Sequence, residues 1–462
     1  LGDVYKRQVQ GLGFVGSAMA TAIASSKDTN GNPYFSVTGV DLKSDIGKQR
    51  VLSINEGLFP FATSDQKLLS TISDCSKQGN LDATFEQNRF GEADIIVVDI
   101  PLDIPYLDDE PLLTFDKFEM AIKNLGRQVK EGTLIIIETT VPPGTCEKIV
   151  IPALEFELRK RNIDISKIHV AHAYERVMPG EDYLSSITDF WRVFAGHTLE
   201  AGDKCEEFLS KVVNIKDFPL TRLSSMTASE TAKVMENTYR AVNIAFIDEW
   251  TKYAEEIGLD LFEIIKAIKK RPTHSNIMMP GLGVGGYCLT KDPALTPASV
   301  EQLFKKNIPF PFSKLTVNTN HNMPMHTVKR ITALLDGSLE NKKILICGVS
   351  YRQDVGDTRN SPSEMLFKEL DKAKAIITCH DPYLSYWEEL KISLDNTLPD
   401  STEFDAIIFT VPHKQYKELD LIEWLNEETV VLDANLVIDD EKRAILKETG
   451  MKIETIGRAN GL

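Results

Sequence analysis

The sequence predicts an α/β protein in three parts: a doubly wound parallel sheet, a central region built on a long helix, and a second, smaller α/β domain. Three observations carry this. A glycine turn at residues 11–16 (GLGFVG) opens a run of small helix-forming residues. Apolar stretches at 36–40, 93–98 and 134–139 alternate with helical ones, the pattern of strand-helix-strand units feeding a parallel sheet. Over residues 227–270 that alternation stops, and it resumes from 342.

Residues 1–8 (LGDVYKRQ) precede the glycine turn and belong by position to the first strand. Asp3, Lys6 and Arg7 stand there, where a strand buried on both faces is expected to be apolar. The expectation is that these residues replace part of that strand's own sequence. A helix is expected over 17–26, and an insertion-like turn over 27–33 (KDTNGNP). Beyond residue 227, Val234, Ala241, Ala245, Trp250 and Tyr253 recur at helical spacing, with neither Gly nor Pro before Gly258. This predicts a long helix, then a second over 261–270. A helix of that length calls for a partner surface, which points to a homodimer core. Strands at 343–347, 375–379, 406–411 and 430–433 complete the second sheet. The expected boundaries are 1–222, 223–325 and 326–462.

Composition agrees with a globular chain: 462 residues, 42% apolar and 26% charged. Fifty-two basic against sixty-eight acidic residues give a net charge of −16. That surface repels nucleic acid and anionic membrane, so neither is an expected partner. The apolar runs are too short to span a bilayer, and no secretory signal is recognisable, so the cytoplasm is the expected compartment. Six cysteines without a CxxC pair suggest neither a disulfide framework nor a metal site.

Four groups of residues carry chemistry. In the first, Gly11, Gly13 and Gly16, with Phe14 and Val15 between them, would allow backbone to approach a pyrophosphate at a helix N-terminus. A plain glycine turn has the same pattern, but here a helix follows and the next strand ends at Asp41. A carboxylate there accepts hydrogen bonds from a ribose 2′-OH and repels a 2′-phosphate, favouring NAD over NADP, although Lys43 is close by. In the second, residues 281–292 (GLGVGGYCLTKD), four glycines surround Cys288. A lone Cys is usually inert packing, but a flexible loop suits a nucleophile. Asp292 follows one helical turn later. In the third, Lys233 and Asn237 project together from the long helix, toward one oxygen or simply toward solvent. The fourth is the turn at 139–145 (TTVPPGT) after an apolar strand, with Thr140 at a strand's carboxyl end, where ligands of open sheets bind. Downstream, Glu175 and Arg176 precede Pro179-Gly180.

Together these segments resemble the nucleotide-sugar 6-dehydrogenase family, which takes in UDP-glucose and GDP-mannose dehydrogenases and their UDP-N-acetylhexosamine relatives. GLGFVG, TTVPPGT, YERVMPG, KVMENTYRAVNIAF, PGLGVGGYCLTKD and YRQDVGDTRNSPS occur in the family's order. The resemblance implies an N-terminal Rossmann-like NAD domain, a central long-helix dimerisation region and a C-terminal Rossmann-like domain that binds the nucleotide sugar. It implies a four-electron oxidation of a sugar 6-OH to a carboxylate, with two NAD consumed. Cys288 matches the nucleophile of the family. Lys233, Asn237, Thr140 and Asp292 match its supporting catalytic positions, and Glu175 matches the acid/base of hydrolysis. Thr140 also falls at the cofactor. Glu175, Arg176, Lys233, Asn237, Gly285, Tyr351, Arg352 and Arg359 match substrate-binding positions. Arg271 matches a basic position that reaches the substrate across the dimer.

Those roles make chemical sense. Thiolate attack on an aldehyde gives a thiohemiacetal whose C–H delivers a second hydride, and the thioester that results is hydrolysed. Lys233 and Asn237 would stabilise the oxyanion, while Asp292 and Thr140 would hold a water that takes the alcohol proton. The chain departs from the family in three places. Asp99-Ile100-Pro101-Leu102 replaces a Val-Pro-Thr-Pro turn, Tyr174 stands where a Pro precedes the Glu, and 431–437 (VLDANLV) lacks an Arg. The lead-in to Cys288 resembles the UDP-N-acetylhexosamine branch and Lys291-Asp292 the UDP-glucose branch, so a UDP-sugar is expected, an N-acetylhexosamine first. Two alternatives stay open. One is a two-electron β-hydroxyacid-type dehydrogenase. The other is a non-catalytic protein that binds NAD or a nucleotide sugar.

Overall fold

The computed structural model describes residues 5–102, 106–107, 110–395 and 397–459. They form two compact units, Leu1–Glu236 with Leu295–Pro309, and Asn237–Ala294 with Phe310–Leu462.

The first unit holds strands β1 (Tyr5–Gln10), β2 (Phe35–Val40), β3 (Leu81–Thr84), β4 (Ile95–Val98), a small antiparallel pair β5 (Tyr106–Leu107) and β6 (Glu110–Pro111), β7 (Leu134–Ile137), β8 (His169–Tyr174), β9 (Val193–Gly196) and β10 (Thr221–Arg222). Eight of them form one sheet in the order β10-β9-β8-β7-β4-β1-β2-β3. Every pairing in it is parallel except β8 with β9. β4 (IIVV) and β7 (LIII) are buried along their whole length, as a strand covered on both faces must be. Apolar side chains pack on both sides of the sheet, Ile23, Val37 and Ile136 on one, Ile122, Ile135 and Leu154 on the other.

β1 forms despite its polar residues, because pairing with β2 and β4 uses backbone groups alone. Arg7, 4% exposed, lies 4.7 Å from the Phe35 ring centroid and 4.8 Å from that of Tyr5. It reaches Asp94 at 3.6 Å, yet burial pushes its pKa down to about 10. Arg7 Nε, Gln8 Oε1 and Gln10 Oε1 are buried without a hydrogen-bond partner. Asp3 lies outside the described residues. The helix after the glycine turn begins at Phe14 rather than at 17, with Gly13 as its N-cap.

The second unit is built on β11 (Lys343–Cys347), β12 (Ile376–His380), the antiparallel pair β13 (Tyr386–Trp387) and β14 (Ile392–Ser393), β15 (Ala406–Phe409), β16 (Val430–Asp433) and β17 (Ile453–Thr455). Its main sheet is wholly parallel, in the order β12-β11-β15-β16-β17. The long helix spans Met226–Glu256, and the division between the units falls within it, after Glu236. The second helix, Leu261–Ile268, starts where Asp260 caps the amides of Phe262 and Glu263. No helix among the described residues is long and apolar enough to cross a membrane.

Candidate active site

At the carboxyl end of β1 the chain reverses through Gly11, at φ +93°, where a Cβ would lie 2.6 Å from the Asp99 carbonyl oxygen. A Cβ on Gly16 would lie 1.8 Å from the Gly11 oxygen. Both positions therefore require glycine, which lets helix and strand close together. Around Gly13 the space is open. No side chain caps the helix that starts at Phe14, and its first turn carries no acid. The backbone there is shaped for an anion. Phe14 stacks on Phe61 at 4.0 Å. Asp41, just past β2, accepts from the Leu42 amide at 2.7 Å and pairs with Arg50 at 3.3 Å. These groups fit a dinucleotide, with the pyrophosphate over the glycine turn and a ribose at Asp41.

Further along the same edge, Thr139 past the end of β7 donates to the Ile100 carbonyl at 2.8 Å, and Thr140 follows it, half-buried. Glu230 on the long helix holds the TTVPPGT turn by accepting from the amides of Gly144 (2.5 Å) and Cys146 (2.7 Å). Burial pushes the Glu230 carboxyl up to about 7. Glu175 follows β8. Lys233 Nζ donates to its carbonyl at 2.6 Å and lies 3.5 Å from its Oε1. The Glu175 carboxylate turns back onto the Val177 amide. Arg176 forks onto Glu236, at 2.8 and 2.9 Å. This unit therefore brings together Glu175 and Lys233, with Arg176 beside them.

The second unit carries the cysteine loop. Gly285 and Gly286 lie against Tyr351. Gly286 has φ +81°, and a Cβ on either would come within 2.8 Å of that side chain. The Gly286 amide donates to the Arg359 carbonyl at 3.1 Å, and Asn360 donates back to the Gly286 carbonyl at 3.3 Å. The loop hands over to the helix Asp292–Gln302, whose first amide, that of Asp292, bonds to the Cys288 carbonyl at 2.9 Å. Asp292 is fully buried. Asn237 Nδ2 donates to its Oδ2 at 2.6 Å and Lys291 Nζ to its Oδ1 at 3.0 Å. All six cysteines are free, and Cys288 alone among them is exposed. Burial pushes the thiols of Cys75 and Cys379 up to about 11 and 12.

Tyr351 and Arg359 lie within electrostatic reach of Cys288. Burial pushes the Tyr351 hydroxyl up to about 12. Arg359 is exposed, and although partial loss of water opposes its charge, Asp357, which it meets at 2.6 Å, holds it above its ordinary value. Arg352 and Arg271 are exposed. Asn237, Cys288, Asp292, Gly285, Tyr351 and Arg359 are thus gathered in this unit.

Several residues escaped the sequence reading. Glu236 holds Arg176, and Glu230 anchors a turn. Glu236 meets Arg176 from 60 residues away and Glu230 binds backbone amides, so no local spacing marks either. Arg50 pairs with Asp41 one helix later and carried no motif.

Three family models match this chain. They describe the UDP-glucose/GDP-mannose dehydrogenase family: its NAD-binding domain over residues 6–211, its central domain over 227–322 and its UDP-binding domain over 345–440. A UDP-N-acetyl-D-mannosamine dehydrogenase from Methanocaldococcus jannaschii is 30% identical, over 97% of this chain and 96% of its own. The chain belongs to the UDP-glucose/GDP-mannose dehydrogenase family. Among solved structures, a UDP-D-ManNAc dehydrogenase from Pyrococcus horikoshii aligns with TM-score 0.81 at 25% identity, covering 98% of this chain and all of its own. A UDP-glucose dehydrogenase from Pyrobaculum islandicum shares the fold, with TM-score 0.81 at 21% identity over 99% and 98% of the two chains. Membership makes the chain an NAD-dependent nucleotide-sugar dehydrogenase, an oxidoreductase acting on a CH–OH donor by four-electron oxidation.

Proposed function

We propose that this chain oxidises C6 of a UDP-sugar, N-acetylmannosamine before N-acetylglucosamine or glucose, to the uronic acid. The order follows the names of the relatives and the lead-in to Cys288. The observation that carries the reading is the exposed Cys288 thiol, on a glycine loop whose exit into a helix is locked by Asn237 and Lys291 on Asp292.

In this reading Cys288 attacks the C6 aldehyde, and the thiohemiacetal and thioester follow on its sulfur. Lys233 and Asn237 stabilise the oxyanion, and Asp292 with Thr140 takes the alcohol proton through water. Glu175 serves the hydrolysis. The bond from Lys233 to the Glu175 carbonyl supports their working together. The nucleotide sugar lies along Arg176, Gly285, Tyr351, Arg352 and Arg359, and Arg271 is supplied by a second copy. Gly11, Gly13, Phe14, Val15, Gly16, Asp41 and Thr140 hold NAD, which accepts the hydrides when bound. A homodimer through the long helix is part of the same proposal, supported by Phe246, Trp250 and Tyr253, each exposed by 44–51%. So is the cytoplasm, which suits six free thiols. The boundaries 1–222, 223–325 and 326–462 are supported by the spans of the three family models.

Counting NADH against sugar consumed, over a panel of UDP- and GDP-sugars, tests the reading. Two NADH per uronic acid are expected; one would indicate a β-hydroxyacid-type reaction, and none a binding protein. Cys288→Ser is expected to keep both ligands while acid formation falls at least ~1000-fold. Undiminished uronic acid from that variant would refute the assignment.

A further inference from the structure

The carboxyl ends of three adjacent strands in the first unit, β4, β7 and β8, carry three acids in a row: Asp99, Glu138 and Glu175. Glu138 Oε1 pairs with Arg192 Nη1 at 2.6 Å, both side chains no more than 2% exposed. Its Oε2 and the Oδ2 of Asp99 are sealed from solvent, and neither receives a donor from the protein. The two carboxyls lie within hydrogen-bonding reach of each other. Two ionised carboxylates so placed would leave both oxygens unmatched and one negative charge uncompensated in the interior. A single proton between them removes both faults. Burial, and then the neighbouring carboxylates, raise Asp99 well above its ordinary range, and burial brings Glu138 up to about 7 in spite of Arg192.

The other charged or titratable groups facing the pair are Glu175 at the end of β8, Arg192 before β9, Lys233 on the long helix and Cys205 on the helix Leu199–Val212. The glycine turn brings Gly16 against Asp99, 3.3 Å from a Cβ placed there, and adds no charge. The place of the pair in the sheet matters. The chain leaves β1 for β2 on one side and reaches β4 on the other, so the ligand crevice opens between β1 and β4. Asp41 claims the adenosine ribose and the glycine turn the pyrophosphate. The nicotinamide half is left to run over the ends of β4 and β7.

We propose that Asp99 and Glu138 share one proton before cofactor binds and release it when the cationic, oxidised nicotinamide arrives, so that proton release accompanies NAD+ but not NADH. The inference rests on the dinucleotide reading of the turn. The pair thereby favours the oxidised cofactor as pH rises and favours departure of the uncharged nicotinamide of NADH.

Calorimetric binding of NAD+ and of NADH in buffers of different ionisation enthalpy counts the protons directly. Wild-type protein is expected to release a substantial part of one proton with NAD+ near neutral pH and almost none with NADH. NAD+ affinity is expected to rise with pH between about 6 and 8, by at most ~10-fold per unit for one linked proton, while NADH affinity stays flat. Asp99→Asn is expected to bind both dinucleotides with no linked proton and a flat pH profile. Equal release with NAD+ and NADH in the wild type, a contrast that needs no variant, would overturn the inference while leaving the cofactor site standing. So would undiminished release in Asp99→Asn. Failure to bind either dinucleotide would overturn the site reading as well.

Discussion

The two parallel sheets place polar side chains at the same point, the carboxyl ends of three neighbouring strands, and treat them in opposite ways. On β12, β11 and β15 the groups are Asp381, Ser350 and His413. Asp381 accepts from the amides of Val349 (2.8 Å) and Ser350 (3.0 Å), from Ser350 Oγ (3.0 Å) and from the Tyr383 amide (3.0 Å). The Asp354 amide donates to His413 Nδ1 at 2.8 Å, so Nε2 carries the ring proton, 3.2 Å from Asp381. Burial opposes the Asp381 carboxylate, yet these donors hold it below its ordinary range. On β4, β7 and β8 three acids meet too few donors, and two oxygens stay unmatched. A strand end whose donors all come from its own loops fixes those loops. One left short of donors is set to respond to a ligand. The saturated set fixes the loop that bears Tyr351 and Arg352; the unsaturated set borders the cofactor turn.

Emptying the saturated set should have the largest effect. Asp381→Ala strands two buried amides and a hydroxyl, at ~1–3 kcal/mol for each unmatched group. Thermal unfolding should move down by several degrees. If the network positions the nucleotide loop, KM for the sugar nucleotide rises about tenfold while NAD affinity, measured by titration, is unchanged. Loss of stability with KM unaltered would reduce the network to scaffolding.

On the cofactor side the corresponding change is Asp41→Ser. It removes the carboxylate that repels a 2′-phosphate and releases Arg50, now 3.3 Å away, to meet one. NADP use should rise about tenfold or more relative to NAD, read as the ratio of kcat/KM values. An unchanged ratio would mean that Arg50 is held elsewhere, with Phe61, whose ring centroid it already approaches at 5.4 Å.

How much of this was legible in the sequence follows from the range of each interaction. The glycine turn, the parallel strands and the long helix announce themselves because their signals are local: period, small residues, breakers. The exposed cysteine was legible because four glycines surround it. The strand-end networks were not. Ser350, Asp381 and His413 are spread over 64 residues of sequence, and Asp99, Glu138 and Arg192 over 94, with no fixed spacing to mark them. β9 was not read from the sequence as a strand, and its antiparallel direction is set by the connection from β8, not by composition. Arg7 was legible as an anomaly but not as a solution, since the rings that receive it come from Tyr5 and Phe35.

A pH experiment sharpens the contrast between matched and unmatched carboxyls. Glu230 has a folded-state value of about 7 against an ordinary 4.5, so between those values the native state holds more protons than the unfolded chain. Its favourable contribution is complete below about pH 4.5 and fades as pH rises through 7. Glu230→Gln cannot titrate. The stability gap between wild type and variant should therefore widen on going from about pH 7.5 to 5.5, by at most ~1.4 kcal/mol per unit. A gap independent of pH, measured by urea unfolding, would show the carboxylate already matched by the Gly144 and Cys146 amides.

The smallest effect concerns β1, where polar residues fill a strand that its position in the sheet makes apolar. Gln10 is 8% exposed and its Oε1 is buried without a donor. Its backbone is fully used: it pairs with Val40 and Val98, and its carbonyl accepts the Asp99 amide at 2.8 Å. Gln10→Val keeps every one of those bonds, removes an unmatched oxygen and adds a β-branched side chain suited to a buried strand. Stability should rise by about 1 kcal/mol, seen as a higher urea midpoint with the slope unchanged. Because the side chain leads directly into Gly11 and lies one residue from the cofactor turn, NAD affinity is the control. If it stays constant while the midpoint rises, the polar strand is a cost to folding that the site does not use. If affinity falls, Gln10 belongs with Asp99 and Glu138 among the strand-end groups left unmatched for a ligand.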